Sequence, residues 1–476
     1  MNIKIYHTWL GLMVLLAMLS CKKWTDVKPT IEVRGELIFS SEATVQEALN
    51  GVYSRMGQAA GYGCNMTWGF VDAMGGVYNT ARLQDFEVEA STGKFDNILT
   101  AGVIEQLWNN TYNAIANDNN LISGIDQADP SIFNGNNKDL MKGEALALRA
   151  MLHFDMLRLF GPTVNSSAWN QPILPYVTVY SSNITPRING PEIITKLLAD
   201  LAQAEELLKK DPILSTVVVN ELRARKVRLN YYAVKALQAR LYLWLGDKPK
   251  ALEAAKVIID AVPQKFSWTS VSDINSSVSY DYVFASENIF SLYVSNLSSY
   301  IEGKMVNIPY DLTTNNFLPH YGTTEALRQE IYEAAGVGVT DFRSIYMMGT
   351  YIYSGSTTML YKKLHQTDGG ANRKARDYAE RRIPMLKTSE MFYIAAECTA
   401  DTDPAQAVGY LNTVRTNRGL VTDLSTNLTT EQVRQEIRKE YRKEFPAEGQ
   451  FFYYRKRTGE MNYALPLPQR EIEYGL

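Results

Sequence analysis

Residues Arg228–Ala261, RLNYYAVKALQARLYLWLGDKPKALEAAKVIIDA, form the clearest structural unit of this 476-residue chain. Apolar and small side chains recur every three or four positions over Leu229–Trp244, which predicts a helix with one buried face. Gly246 and Asp247 interrupt the pattern, and Pro249 suits the first turn of a second helix, where its missing N–H is not needed. Alanines in that second helix allow close packing, so the stretch predicts a helical hairpin.

Three further parts of the chain repeat this plan, and a single hairpin of this kind cannot bury its apolar face alone. The pattern resembles a tetratricopeptide repeat, in which stacked helical hairpins share a continuous core. The sequence therefore predicts a mainly α fold with four tetratricopeptide-type hairpins. The other three are Lys387–Leu420, Lys138–Pro162 with Ile188–Leu208, and Thr44–Met56 with Ile104–Ile125.

Long insertions separate the hairpins, and loops of such length inside a compact domain are often functional. Short apolar runs in the largest insertion predict strands at Asn288–Val294, Met347–Tyr353 and Met359–Leu364. We expect an irregular, loop-rich subdomain that packs on the helices. The predicted organisation is a signal peptide (1–20), a helical-repeat region (21–262) with an aromatic-rich insertion (57–102), the irregular subdomain (263–382), and a C-terminal hairpin and tail (383–476) that pack back on the helices.

The C-terminal end combines an amphipathic helix with an aromatic and basic segment. Over Glu431–Phe445 an apolar residue recurs every four positions among charges, which predicts a surface helix. The segment EGQFFYYRKR (448–457) places four aromatic residues beside three bases. We expect it to bury some of these rings and to expose the rest. The tail LPLPQREIEYGL (465–476) is punctuated by proline and predicts an extended conformation.

The N-terminus predicts a targeting segment. Its apolar run from Trp9 to Leu19 is too short to span a membrane, because a membrane-spanning helix needs about 20 residues. The run follows the basic Lys4, which is the arrangement of a cleaved secretory signal. The run ends in MLSC, which is similar to the lipobox of a bacterial lipoprotein. We therefore expect Cys21 to be lipidated and to anchor the chain to a membrane. The alternative is an ordinary cleaved signal followed by an incidental cysteine.

Six motifs are spread over the chain: CKKWTDVKP (21–29), KGEALALRAMLHFDMLRLFGP (142–162), IPMLKTSEMFYIAAECTA (383–400), AVGYLNTVRTNRGL (407–420), IRKEYRKEFPAEGQFFYYRKR (437–457) and LPLPQREI (465–472). Together they resemble the SusD/RagB-like family of outer-membrane nutrient-binding lipoproteins. The resemblance covers almost the whole chain in the family's order. One departure is the C-terminus, where family members commonly have an Asn-Pro pair and this chain has Tyr474-Gly475.

This resemblance implies a surface-exposed, lipid-anchored protein of a Gram-negative outer membrane. Such proteins capture a nutrient, usually an oligosaccharide, and pass it to a SusC-like TonB-dependent transporter. The implied SusD-like fold combines four helical hairpins with an irregular subdomain that carries most of the ligand site. A peptide-binding member of the family and a helical-repeat scaffold for protein interactions are the alternatives. A glycan binder should expose Trp and Tyr on one face, whereas a scaffold should offer an open helical groove.

Composition and motifs argue against nucleic acid, metal and catalysis. A formal net charge of −3 gives no basic surface for nucleic acid. The four histidines fall in no metal spacing, and neither a GxSxG nor a Walker pattern is present. Cys64 and Cys398 are far apart and suggest no disulfide framework. We therefore predict a binding protein that is not an enzyme, and the sequence indicates no cofactor and no metal-ligating residues; whether calcium assists binding is left open.

Sugar recognition in water needs flat aromatic faces for C–H patches and planar polar groups for hydroxyls. Two insertions supply this mixture, and we expect members of both to form the site. The alternative for each aromatic residue is packing in the core. The basic run Arg373–Arg382 is either a solvated face or a docking patch. The candidate ligand-binding residues are Trp68, Asp72, Tyr78, Asn79 and Arg82 in the first insertion, and Trp268, Tyr280, Tyr282, Tyr310 and Tyr321 in the irregular subdomain.

Overall fold

The computed structural model describes residues 38–305, 320–353, 356–368 and 373–474. The predicted signal peptide, the lipidation site Cys21 and the candidate residue Tyr310 lie outside these ranges. Within them, no helix combines the length and the apolar character that crossing a membrane requires. Cys64 and Cys398 are both buried and carry free thiols.

Helices make up most of the described chain, and the strands are short. The α-helices are α1 (Glu42–Met56), α2 (Phe70–Gly75), α3 (Asp85–Ser91), α4 (Ile98–Gln127), α5 (Asn137–Phe160), α6 (Gly190–Leu207), α7 (Pro212–Ser215), α8 (Val219–Arg225), α9 (Tyr231–Leu245), α10 (Lys248–Ile259), α11 (Val271–Ile274), α12 (Leu297–Ile301), α13 (Glu325–Tyr332), α14 (Phe342–Ile345), α15 (Thr388–Thr399), α16 (Pro404–Thr416), α17 (Thr430–Glu444), α18 (Gln450–Arg457) and α19 (Gln469–Tyr474). The strands are β1 (Leu174–Pro175), β2 (Arg187–Ile188), β3 (Ser279–Tyr280), β4 (Asn288–Tyr293), β5 (Gly322–Thr323), β6 (Met348–Tyr353), β7 (Ser356–Tyr361), β8 (Thr367–Asp368), β9 (Arg373–Ala375) and β10 (Arg382–Lys387).

The four predicted hairpins are present: α1 packs with α4, α5 with α6, α9 with α10, and α15 with α16. Neighbouring hairpins also pack on one another, through α4 and α5, α6 and α9, and α10 and α15. The hairpins therefore stack into one array with a shared apolar interior, which is how repeated hairpins bury faces that none could bury alone. The prediction of a mainly α fold is confirmed.

Local capping signals set the hairpin turns. Gly246 ends α9 in the left-handed conformation, with φ at 77°, a region that favours glycine. Asp247 then starts α10 by accepting a hydrogen bond from a backbone N–H of its first turn, which also contains Pro249. Asp403 and Pro404 start α16 in the same way. The turn positions were predictable because these signals act over a few residues.

Buried ion pairs fasten the helices of the array to one another. Arg149 on α5 donates to Asp200 on α6 at 2.8 and 2.6 Å and to Asn119 on α4 at 3.0 Å. Arg240 on α9 donates to Glu390 on α15 at 2.5 and 2.7 Å. Arg149 and Glu390, which belong to the motifs of the family resemblance, therefore have structural partners.

The irregular subdomain contains several small sheets. Antiparallel β4 and β10 join it to the helices, because β10 leads directly into α15. β5, β7 and β6 form an antiparallel sheet, and a second sheet has the order β3, β9, β8. The predicted strands Asn288–Val294 and Met347–Tyr353 match β4 and β6 within about one residue, the usual uncertainty of such boundaries. The prediction Met359–Leu364 is wrong in its bounds, because backbone pairing with β6 starts β7 at the polar Ser356.

The aromatic and basic segment is buried more completely than the sequence predicts. All four rings from Phe451 to Tyr454 on α18 lie in the core, so the expectation that some are exposed is wrong. The neighbouring bases explain the difference. Lys456 donates to three carbonyl oxygens at the end of α5, at 2.7–3.1 Å, and the guanidinium of Arg158 lies 3.7 Å from the ring centre of Tyr453.

Two other C-terminal expectations need correction. The tail is not wholly extended, because the carbonyl of Pro468 accepts the N–H groups of Glu471 and Ile472 and so begins α19. Helix α17 is amphipathic as predicted, but it is not a simple surface helix. Glu440 and Glu444 on it are buried, which is possible because basic residues from distant segments neutralise them.

Glu444 is the centre of a buried ionic network. Its carboxylate accepts hydrogen bonds from Arg418 at 2.7 Å, Lys387 at 2.8 Å and Arg343 at 3.0 Å. Arg418 also donates to Glu287 at 2.7 and 3.0 Å. These partners come from α14, β10 and the residues next to β4 and α16. The network therefore fixes the irregular subdomain against the C-terminal helices.

The network keeps its carboxylates charged. Burial by itself would raise the pKa of Glu444, but the charges of Arg418 and Lys387 override burial and hold that pKa well below its ordinary value. Burial also acts against the ionisation of Glu440, yet Arg343 and other bases lower its pKa to about 2. Both carboxylates stabilise the fold above the unfolded-state pKa of about 4.3, and this stabilisation is lost as the pH falls towards the lowered values.

Glu444→Gln should lower the free energy of unfolding by about 3–5 kcal/mol, because it leaves buried positive charges without their partner. Urea unfolding at neutral pH, followed by circular dichroism, measures the change. Glu431→Gln is the matched control, since Glu431 is exposed on the same helix, and it should change stability by less than about 0.5 kcal/mol. Equal effects of the two substitutions would contradict the role of the network.

A neutral histidine holds the loop between β1 and β2. His153 on α5 lies with Nδ1 2.9 Å from the carbonyl oxygen of Arg149, and its Nε2 accepts the N–H of Val177 at 3.0 Å. Its ring stacks on Tyr176 at 3.9 Å. Burial lowers the pKa of His153 to about 4, although the nearby charge of Asp200 acts in the opposite direction. Protonation at Nε2 would remove the acceptor of Val177.

Stability should therefore fall at mildly acidic pH. The folded-state pKa of His153 lies below the unfolded-state value of about 6.5, so its contribution is complete above that pH and is lost as the pH falls towards the folded value. From about pH 7.5 to about pH 5 the free energy of unfolding should drop by about 2 kcal/mol on this account. His153→Gln should remove most of that drop in urea unfolding, and an unchanged pH dependence would rule the mechanism out.

Candidate ligand-binding site

The first insertion meets the irregular subdomain, but the aromatic residues they share are buried. The ring of Tyr321 lies 5.7 Å from that of Trp68 and 4.9 Å from that of Tyr78. Trp68 Nε1 donates to the carbonyl of Gly63 at 2.8 Å, and the Tyr78 hydroxyl donates to the carbonyl of Trp68 at 2.5 Å. Trp68, Tyr78 and Tyr321 are 0%, 2% and 4% exposed. In this structure they pack in the core and offer no ring face to a sugar.

Asp72 has a structural role in the same region. Its carboxylate accepts the backbone N–H groups of Ala447 at 2.6 Å and Gly449 at 2.9 Å, in the turn between α17 and α18 where both residues have positive φ. Burial raises the pKa of Asp72 well above its ordinary value, and the two N–H groups act in the opposite direction. Asp72 therefore holds this turn and does not face solvent.

Three predicted aromatic residues lie apart from this cluster. Tyr280 and Tyr282 stack at 4.2 Å in a separate small core of the irregular subdomain. Trp268 is half-buried, 5.4 Å from the ring of Phe392 and 5.5 Å from the guanidinium of Arg418. None of the three lines either of the two surface clefts near the first insertion.

Asn79 and Arg82 remain near the surface, on a turn fixed next to Tyr321. Asn79 donates its N–H to the carbonyl of Gly322 at 2.9 Å, and its Oδ1 accepts the N–H of Ala81 at 3.2 Å. The guanidinium of Arg82 has no hydrogen bond or ion pair with the described residues, and partial burial lowers its pKa. A guanidinium without a carboxylate partner can donate to a polar ligand.

A cleft of about 450 Å³ lies next to this turn, and Gln84, two residues after Arg82, is part of its lining. Glu87, which is buried in its wall, accepts hydrogen bonds from His320 Nε2 and the Tyr321 hydroxyl, both at 2.7 Å. Burial opposes the ionisation of Glu87, but the hydrogen bonds and the charge of His320 lower its pKa overall. We call this the histidine cleft; its lining includes Asn65, Gln84, Phe86, Gln106, Lys304 and His320.

A second cleft, of about 370 Å³, lies between α1 and the end of β4. Tyr293 in its wall is 50% exposed. The guanidinium of Arg228 lies 5.2 Å from the ring centre of Tyr53 and donates to Asn50. These contacts with residues of the cleft wall therefore hold the guanidinium of Arg228 in place and orient some of its N–H groups. We call this the tyrosine cleft; its lining includes Asn50, Tyr53, Gln58, Arg228, Tyr293 and Tyr300.

The two clefts are neighbours. Gln58 lines the tyrosine cleft, and the next two residues, Ala59 and Ala60, line the histidine cleft. Tyr300 lines the first and Lys304 lines the second. Both clefts lie where α1, the first insertion and the irregular subdomain meet, and we call the two together the junction groove.

Tyr293, the most exposed aromatic residue of the groove, is not among the residues predicted to bind ligand. It lies in the apolar run Asn288–Val294, which the sequence predicts as a strand and not as a binding surface. The only local signal is its position at the strand end, where the buried pattern of β4 stops. Burial of the other strand residues depends on β10 and the helices, which a local pattern does not reveal.

The chemistry of the junction groove suits recognition by ring faces and hydrogen bonds. Among its described lining residues Glu87 is the one carboxylate, whereas glycoside hydrolysis generally uses a pair. Within the described ranges, no cluster of three or more His, Cys, Asp and Glu side chains is arranged to hold a metal ion.

Two family models match the chain. The model described as "Starch-binding associating with outer membrane" matches residues 23–243, and the SusD family model matches residues 345–465. A SusD-like carbohydrate binding protein from Bacteroides vulgatus has a similar structure, with a TM-score of 0.66, 20% identity, and coverage of 88% of this chain and 84% of that chain. No curated protein matches the chain.

Other solved structures show the same fold. A SusD superfamily protein from Bacteroides thetaiotaomicron has a TM-score of 0.65 and 22% identity, and the match covers 91% of this chain and 98% of that chain. One from Bacteroides fragilis has a TM-score of 0.64 and 20% identity, covering 92% and 98%. The stacked hairpins and lateral groove define a helical-repeat protein with an inserted irregular subdomain. The chain belongs to the SusD/RagB-like family, which confirms the resemblance of its motifs.

Because Trp68 is fully buried, Trp68→Ala should lower the free energy of unfolding by about 3–5 kcal/mol. Trp68→Phe keeps an apolar ring and should cost less, losing mainly volume and the hydrogen bond to Gly63. The control Tyr180→Ala removes a 60% exposed ring and should change stability by less than about 0.5 kcal/mol. Urea unfolding of the three variants distinguishes a core residue from a surface platform; wild-type stability of Trp68→Ala would exclude the core role.

Proposed function

We propose that this protein captures an oligosaccharide in the junction groove at the cell surface and delivers it to a SusC-like TonB-dependent transporter. The observation that carries the proposal is the groove, where the exposed Tyr293 and the half-buried Tyr300 lie beside amide and guanidinium groups. The matching family description, starch-binding and associating with the outer membrane, supports this ligand class. A structural relative named as a carbohydrate binding protein supports it too.

The groove provides both parts of sugar recognition. Tyrosine rings can cover the C–H faces of a sugar, and their hydroxyls remain available for hydrogen bonds. Asn50, Gln58 and Arg228 supply planar donors and acceptors in the tyrosine cleft. Lys304 and His320 add donors in the histidine cleft. Two adjoining clefts suit a ligand of several sugar units.

The proposed place of action is the outer membrane of a Gram-negative bacterium. Lipidation of Cys21 would anchor the mature chain, and residues 22–37 would link the anchor to the described fold. Capture is an equilibrium binding step, and delivery follows when the partner transporter closes on the ligand. The proposal includes no covalent step and no cofactor.

Titration calorimetry of the chain without its first 21 residues, against a panel of neutral oligosaccharides that includes α-glucans, tests the proposal. Tyr293→Ala and Tyr300→Ala should each raise Kd about two- to twelve-fold, the equivalent of a ring contact of about 0.5–1.5 kcal/mol. Tyr242→Ala, a partly exposed tyrosine on α9 outside the groove, is the matched control and should leave Kd unchanged. Circular dichroism of each variant checks folding.

The outcomes separate the alternatives. Binding that both groove variants leave intact would place the ligand elsewhere. Binding of peptides with no response to any oligosaccharide would replace the ligand class. Turnover of a sugar during the titration would overturn the prediction that the protein is not an enzyme.

A further inference from the structure

A third cleft, of about 590 Å³, has a different lining from the junction groove. It lies between α1, α4, α19 and the loop that joins β1 to β2. On α4, Asn109, Tyr112 and Asn113 share one helical face towards it, because they are three and four positions apart. We call it the arginine cleft; its lining includes Arg55, Arg187, Arg470, Trp108, Tyr112 and Tyr474.

Neither Arg55 nor Arg187 pairs with a carboxylate of the described residues. Their Nε atoms are buried without a hydrogen-bond partner, as are those of five other arginines in the described ranges. By contrast, the half-buried Arg225 pairs with Asp211 at 2.7 Å and with Glu144 at 2.7 Å. A buried polar group without a protein partner needs a physical explanation, and a bound ion or water is one such explanation.

The other charged residues of the cleft do not neutralise Arg55 and Arg187. Arg470 is exposed and lies 3.9 Å from Glu105. Glu471 is the one carboxylate among the described lining residues; burial raises the pKa of Tyr112, and the charge of Glu471 raises it further, which places that charge near the tyrosine. The lining is positive although the whole chain has a formal net charge of −3. Attraction for an anion is therefore a local property of this cleft.

The wall opposite α4 is held in shape. The carbonyl of Val177 accepts a hydrogen bond from Asn119 at 2.9 Å, and its N–H donates to His153 at 3.0 Å. Tyr112 donates to the carbonyl of Pro175 at 3.0 Å. Since Pro175 pairs with Arg187 across β1 and β2, the position of Arg187 is fixed by the same contacts. Arranging donors before the ligand arrives reduces the entropy lost on binding.

We propose that the arginine cleft binds an anionic saccharide, with a carboxylate or sulfate held by Arg55 and Arg187. A guanidinium presents two parallel N–H groups that match either anion. Tyr112 and Tyr474 flank the sugar rings, and Asn109 and Asn113 supply hydrogen bonds to hydroxyls. The saccharide class rests on the proposed function, whereas the preference for negative charge rests on the arginines alone.

An oligogalacturonate and its fully methyl-esterified form are the matched ligands, because esterification removes the negative charge and keeps the sugar chain. In calorimetry with the chain without its first 21 residues, the acid should bind at least about tenfold more tightly than the ester. Arg55→Gln and Arg187→Gln should each remove most of this preference, because each weakens the binding of the acid more than the binding of the ester. Arg55→Lys should retain part of it, because the charge remains and the fork is lost. A sulfated oligosaccharide, in a parallel titration, distinguishes sulfate from carboxylate as the preferred anion.

Arg223→Gln is the control, because it removes the same charge from an arginine that stacks on Tyr378, outside the cleft. Equal affinity for acid and ester, or equal loss in Arg223→Gln and Arg55→Gln, would overturn the inference. Neutral oligosaccharide binding that is sensitive to Tyr293→Ala would then leave the proposed function standing. An acid preference lost in Arg55→Gln but indifferent to Tyr293→Ala, with no neutral ligand bound, would support this cleft and reject the junction groove.

Discussion

Complete neutralisation of the buried carboxylate of Glu444 is the constraint on which the rest of the structure depends. A buried charge is tolerated only when its partners are all in place, and here Arg418, Lys387 and Arg343 reach it from three separate segments. The irregular subdomain has little regular structure of its own. Its attachment to the C-terminal helices through these charges fixes where it lies on the helical array.

The aromatic side chains Trp68 and Tyr78 of the first insertion pack into the core and not on the surface. Trp68 and Tyr78 pack against Tyr321, and Asp72 fastens the insertion to the turn between α17 and α18. The polar residues that remain near the surface of the insertion, such as Asn79, are held in place by these buried contacts. A rigid core beneath a polar rim suits a binding protein, because donors that are already positioned lose less entropy when a ligand arrives.

Helix α1 connects two clefts of different chemistry. Asn50, Tyr53 and Ser54 line the tyrosine cleft, whereas Arg55 lines the arginine cleft. A step of 100° per residue places Arg55 on a different face of the helix from Asn50 and Ser54. The tyrosine cleft therefore offers tyrosine rings, amides and the guanidinium of Arg228, whereas the arginine cleft offers two guanidinium groups that pair with no carboxylate of the described residues. Under the two proposals, neutral and anionic saccharides would be recognised at separate places on the same helical array.

The amino-acid sequence by itself determined the four helical hairpins, because periodic apolar positions and caps such as Gly246 and Asp403 act within a few residues. It also identified the two insertions that meet. Only the tertiary structure decided which aromatic residues are exposed: Trp68 is covered by the distant Tyr321, and Tyr293 is left at a strand end. An aromatic-rich loop has the same composition whether its rings pack or face solvent. The difference arises from long-range contacts, which no local pattern encodes.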